Sequence, residues 1–150
     1  MLYLDYEKLK NMCFESQKRY MTVLDEQEKL FAKTQPIGIR FDKESVSSSG
    51  KGYSFDDYLI EKEQKQIDAK IKEIKLIIEE RVHLLKLKET ELRASKQAYD
   101  RIYVLKYLDG LRVYKIAPIM HYSESQVYRK LATIEKSIRM MRENANKSNV

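Results

Sequence analysis

The chain has 150 residues, 29 Lys+Arg against 23 Asp+Glu, and a formal charge of +6. It is 35% charged, with four Gly, two Pro and no Trp. An ordinary soluble domain has roughly 25% charged residues and ~7% Gly, so this composition favours long helices and argues against a sheet protein. No run approaches the ~18 consecutive apolar residues of a membrane span, and the N-terminus shows no apolar signal core. No membrane partner is therefore expected, and a cytoplasmic location is. The single cysteine, Cys13, excludes an internal disulfide and a cysteine-rich zinc site.

The first element expected is an N-terminal helix over residues 1–33. It lacks Gly and Pro. Leu2, Tyr6, Leu9, Cys13, Ser16, Tyr20, Val23, Gln27 and Leu30 recur at alternating steps of four and three, the spacing of an a/d seam. Cys13 falls on this apolar line and reads as a small buried hydrophobe. Residues 34–54 then hold Pro36, three of the four glycines and a Ser-rich run. They read as a flexible loop, with protease sensitivity expected over 40–52.

A second helix is expected over residues 55–96. Ile71, Ile78, Leu85 and Leu92 repeat every seven residues, and Ile60, Ile67 and Ile74 supply partner positions. Such a helix would be roughly 60 Å long and needs another helix along its length. The candidates are the first helix, folded back antiparallel as a helical hairpin or coiled coil, and a second copy of the chain as a homodimer. Asp56 and Asp57 suit the positive end of its macrodipole. His83 reads as a seam residue rather than a ligand.

The last third carries the charge. Residues 98–150 hold ten basic and five acidic side chains, which leaves only +1 over the rest. Residues 97–108 read as an amphipathic helix ended by Asp109-Gly110. Residues 111–120 place Val113, Ile116, Ala117 and Met120 on one face. His121-Tyr122 forms a short turn. Ser123 and Gln126 fit a capping box opening another helix, whose Val127, Leu131, Ile134 and Ile138 face inward. Pro118 lies inside the preceding helix, a ~3 kcal/mol disruption that predicts a late start or a kink there. Residues after about Met141 are expected to fray, leaving 143–150 as a tail.

Helix, short turn and capped helix is the helix-turn-helix order. The expected fold is therefore all-α, a long helical hairpin or coiled coil followed by a helix-turn-helix domain at 97–142. The partner that charge and order point to is double-stranded DNA, bound by inserting residues 123–139 in the major groove. Expected base contacts are Glu124, Ser125, Gln126, Tyr128 and Arg129, with Arg129 suited to guanine and Gln126 to adenine. Expected phosphate contacts are Lys115, Tyr122, Lys130 and Lys136. The six tyrosines from Tyr99 to Tyr128 read as core or groove-wall residues. No catalytic constellation is present, and neither a metal nor a cofactor is expected.

The segment YDRIYVLKYLDGLRVYKIAPIMHYSESQVYRKLATIEKSI resembles sigma factor region four. More closely, it resembles phage and prophage late-gene transcriptional regulators of the ArpU/RinA type. The cues are LKYLDG, Ile116-Ala117 ahead of the turn, and YSESQVYR. The resemblance covers residues 98–140, and the N-terminal part is similar only in layout. It implies a DNA-binding activator of phage late genes that works with host RNA polymerase in a bacterial cytoplasm. Two other classes fit the same elements: a small terminase-like packaging protein, which would assemble as a ring, and a coiled-coil adaptor that does not bind DNA.

Overall fold

The computed structural model describes residues 1–34 and 55–149, and these form helices without any strand. The order is α1 (Leu2–Thr34), α2 (Phe55–Ala94), α3 (Ala98–Tyr103) continuing as a π-helical turn (Val104–Leu108), α4 (Val113–Met120) and α5 (Glu124–Ser148). The loop expected at 34–54, with its protease-sensitive stretch, lies outside the described residues except for Thr34, which belongs to α1. The chain divides into two compact units, Phe14–Glu79 and Met1–Cys13 together with the residues from Glu80 onward.

In the unit Phe14–Glu79, α1 and α2 run antiparallel. Gln27 Nε2 donates to Asp68 Oδ1 at 3.4 Å, and Lys70 lies 3.9 Å from Glu26. Between them Val23, Leu30, Ile67 and Ile74 are buried, with Tyr20, Ile60, Ile71 and Ile78 packed at the edge. The seam read from the sequence is therefore present, with Ile67 and Ile74 deeper than Ile71 and Ile78. Ile78→Ala should cost about 1–2 kcal/mol, below the ~2–5 kcal/mol of a fully enclosed isoleucine, because its side chain is only partly buried at the edge of the cluster. Urea denaturation of the full chain checks this; no shift in midpoint would mean that the edge carries no packing.

The other unit is built around one core. Ile102, Tyr103 and Val104 from α3 and its π turn, Val113, Ile116, Ala117 and Met120 from α4, and Val127, Leu131, Ile134 and Ile138 from α5 are all buried. The same core includes Tyr3 and Tyr6 of α1 and Leu92 of α2. The compact body is thus larger than the expected 97–142, because the inward stripes of α3, α4 and α5 leave an apolar side that the first turns of α1 and the last turn of α2 cover. Tyr3 stacks on Tyr103 with ring centroids 5.5 Å apart, and Tyr6 meets the same ring edge-on at 6.1 Å.

Two buried carboxylates fasten α1 to this body. Asp100, fully buried, accepts from the Tyr3 backbone N–H at 3.1 Å and from Ser95 Oγ at 2.7 Å. It thereby satisfies one of the N–H groups that the first turn of α1 cannot pair within the helix. Glu7, also buried, accepts from the Tyr103 hydroxyl, with Arg142 of α5 at 3.4 Å and Lys10 at 3.9 Å.

Several expectations change here. The 97–108 helix widens into a π turn at Val104–Leu108, closed by Asp109 N–H on the Val104 carbonyl at 2.9 Å. The wider turn brings Tyr107 over Tyr103, 5.0 Å between centroids. Gly110 then turns the chain at φ 68°. The tail expected at 143–150 is instead helix through Ser148, because no Gly or Pro interrupts α5 and Arg142 is held on Glu7. His83 is exposed rather than in the seam; Arg81 holds the inward position, its Nη1 donating to the Met12 carbonyl at 2.9 Å. Of the six tyrosines from Tyr99 to Tyr128, Tyr103 is buried in the core, Tyr99 and Tyr122 are partly buried, and Tyr107, Tyr114 and Tyr128 are exposed.

Candidate nucleic-acid interface

The candidate site is the surface of α4, the turn and α5. α4 begins at Val113, two residues later than the sequence pattern suggested, with Arg112 extended before it. The late start places Pro118 in the second half of an eight-residue helix, where its ring faces solvent. α4 closes with a Schellman pattern: Tyr122 N–H bonds the Ala117 carbonyl at 3.0 Å and His121 N–H the Pro118 carbonyl at 3.3 Å. His121 takes the left-handed position at φ 57°, ψ 37°, where glycine is usual. Histidine tolerates this region better than most residues.

Ser123 is the N-cap of α5, and the capping box is complete. Ser123 Oγ accepts from Gln126 N–H at 3.2 Å, and Gln126 Oε1 accepts from Ser123 N–H at 2.9 Å. α5 packs on α3 and α4 through Val127, Leu131, Ile134 and Ile138. These positions follow steps of four, three and four, so one stripe is anchored and the opposite one faces solvent.

The expected site residues separate into three groups. Ser125, Arg129 and Lys136 are exposed on the line opposite the buried stripe, with Glu124 and Tyr128 exposed beside it. Among the described residues no acidic group pairs with Arg129 or Lys136. Lys115 is exposed on α4, its ammonium 6.0 Å from the Tyr114 ring. Gln126 is exposed, but its amide oxygen is engaged by the cap, so a bidentate contact to adenine would require opening the box. Lys130 and Tyr122 are turned inward. The Lys130 ammonium lies 4.5 Å from the Tyr99 ring and 5.4 Å from the Tyr122 ring. A cation between two ring faces ties α3, the turn and α5 together.

The structure also adds a residue that the sequence reading missed. Ala132 is exposed on the line of Ser125, Arg129 and Lys136. Its spacing of three from Arg129 is the signal that could have found it. Among the described residues no cluster of His, Cys, Asp and Glu is placed to hold a metal ion, and no helix is long and apolar enough to cross a membrane. Comparison of the chain with family models, curated proteins and solved structures returns no match.

Proposed function

We propose that this protein is a sequence-specific double-stranded DNA-binding regulator of transcription. In this reading α4, the turn and α5 act as a helix-turn-helix, with α5 entering the major groove. The resemblance of residues 98–140 to ArpU/RinA-type regulators supports reading it as an activator of phage late genes acting with host RNA polymerase. α1 and α2 supply the helical arm, a coiled coil that dimerises the protein or holds the polymerase.

The observation that carries the reading is the outward line of α5. A complete capping box fixes its first turn, four buried side chains fix its back, and Arg129 and Lys136 project on the free side without an acidic partner among the described residues. A rigid helix with an unpaired guanidinium in its second turn is suited to guanine O6 and N7. Lys136, two turns further along, is suited to a phosphate.

Selection of duplexes from a random library tests this. One sequence class should be enriched. On that duplex Arg129→Ala should lose ~1–3 kcal/mol and relax preference at one position. Lys136→Ala should weaken all duplexes alike and reduce the log–log salt slope by roughly one. Equal losses for both variants on specific and random duplexes would leave only nonspecific binding. No salt-dependent affinity at all would favour the adaptor, and a ring of eight or more copies would favour the packaging protein.

A further inference from the structure

We propose that the outward face of α5 reads a guanine and a nearby thymine, with Arg129 on the guanine and the Ala132 methyl on the thymine 5-methyl group. The inference rests on the DNA-binding reading above and adds the base content of the site.

Two side chains that could read bases are withdrawn. Gln126 turns its amide oxygen back onto Ser123 N–H at 2.9 Å. Lys130 lies over the Tyr99 and Tyr122 rings. What remains on the line opposite the buried stripe in the first four turns of α5 is Ser125, Arg129, Ala132 and Lys136, all exposed. Arg129 is the only one of these with a planar fork of donors, the geometry that matches O6 and N7 of guanine.

Ser125 and Ala132 stand about one turn to either side of Arg129. Both are small, so the helix axis can come close to the base edges along this line. Close approach makes the chemistry at Ala132 selective. A methyl group pressed on an amino group, N7 or O6 excludes water from that group and returns no hydrogen bond, which is unfavourable. Thymine alone presents a methyl group in the major groove, so contact there covers apolar surface on both sides. Three residues of helix rise about 4.5 Å. Base pairs are spaced ~3.4 Å apart, so the thymine should lie within two steps of the guanine.

The test uses the full chain and the duplex it enriches from a random library. Each thymine within that duplex is replaced in turn by deoxyuridine, which lacks only the methyl group. One thymine within two steps of the Arg129-dependent guanine should show a roughly fourfold loss of affinity, the worth of one methyl withdrawn from water. In Ala132→Gly the thymine-to-deoxyuridine ratio at that position should fall to one. In Arg129→Ala it should persist. The ratio is internal to each variant, so a smaller folded fraction cancels.

Deoxyuridine tolerated at every position, no thymine within two steps of that guanine, or a methyl effect that survives Ala132→Gly would each overturn the inference while leaving DNA reading in place. Failure to enrich any sequence would remove both.

Discussion

Asp100→Ala should be among the most destabilising single substitutions in the chain, at about 3–5 kcal/mol. Asp100 is fully buried and serves two donors, the Tyr3 backbone N–H at 3.1 Å and Ser95 Oγ at 2.7 Å. Hydrogen bonds to a charged acceptor contribute ~1.5–3 kcal/mol each, and a buried donor left without a partner adds its desolvation cost. The consequence reaches beyond residue 100, because the Tyr3 N–H belongs to the first turn of α1 and the Tyr3 ring packs on Tyr103. Asp100→Asn should fall between wild type and Ala: its amide oxygen can still accept one bond, but the NH2 group brings a donor where a second donor already points. Urea denaturation of the full chain, followed by circular dichroism, gives both values. A cost under about 0.5 kcal/mol for Asp100→Ala would show that the first turn of α1 is held by its apolar side chains alone.

That contact also shows where the sequence stops being informative. The seam of α1 is legible because it depends only on spacing: Tyr6, Cys13, Ser16, Val23 and Leu30 are all buried, and each lies on the four-three register. Tyr3 and Glu7 are buried as well, one residue past Leu2 and Tyr6 on that register. They face α3 and α5 rather than α2, and partners nearly a hundred residues away leave no trace in local periodicity. Asp100 looked like one of five acids in a basic region. Nothing near it in sequence signals that its donors are Ser95 and the start of α1.

The candidate interface was legible to a different depth. The cap at Ser123, the small Ala117 beneath α5 and the inward stripe of α5 follow from spacing and appear in the structure. The roles of Gln126 and Lys130 do not follow from spacing, because each side chain has two competing uses. Gln126 is both a capping residue and a possible adenine reader, and a complete box engages its oxygen in the first use. Lys130 points about 100° away from Arg129, as helix geometry requires. Tyr99 and Tyr122, from elsewhere in the fold, decide that this direction is a ring face and not open solvent. Lys115, 6.0 Å from the adjacent Tyr114 ring, and Lys136 are both exposed and suited to a phosphate backbone.

The Glu7–Tyr103 contact should produce the second large effect, and one that depends on pH. Glu7→Ala removes the acceptor of the Tyr103 hydroxyl inside a core where the Tyr3 hydroxyl already has no partner among the described residues. The expected cost is about 2–4 kcal/mol, a charged hydrogen bond plus a newly orphaned phenol. Burial first, and the hydrogen bond to Glu7 second, hold the Tyr103 phenol far above its ordinary value of 10.0. Burial is also the leading cause of the upward shifts of Tyr6, with Glu89 next, and of Tyr107, with Glu135 next.

A folded-state value raised above the unfolded one gives stability that is complete below about pH 10 and is lost as the pH climbs toward the folded value, since the unfolded chain releases its proton first. Tyr103, which is fully buried, should therefore lower the unfolding free energy by up to ~1.4 kcal/mol per pH unit above 10, whereas solvent screening leaves the exposed Tyr107 a small share. Tyr103→Phe removes one of the three. Its stability between pH 10 and 11.5 should decline less steeply than that of wild type, while lysine titration, common to both proteins, cancels in the difference. Parallel curves for the two proteins would mean that Tyr103 ionises as readily in the folded chain as in the unfolded one, and that Glu7 accepts no hydrogen bond from it.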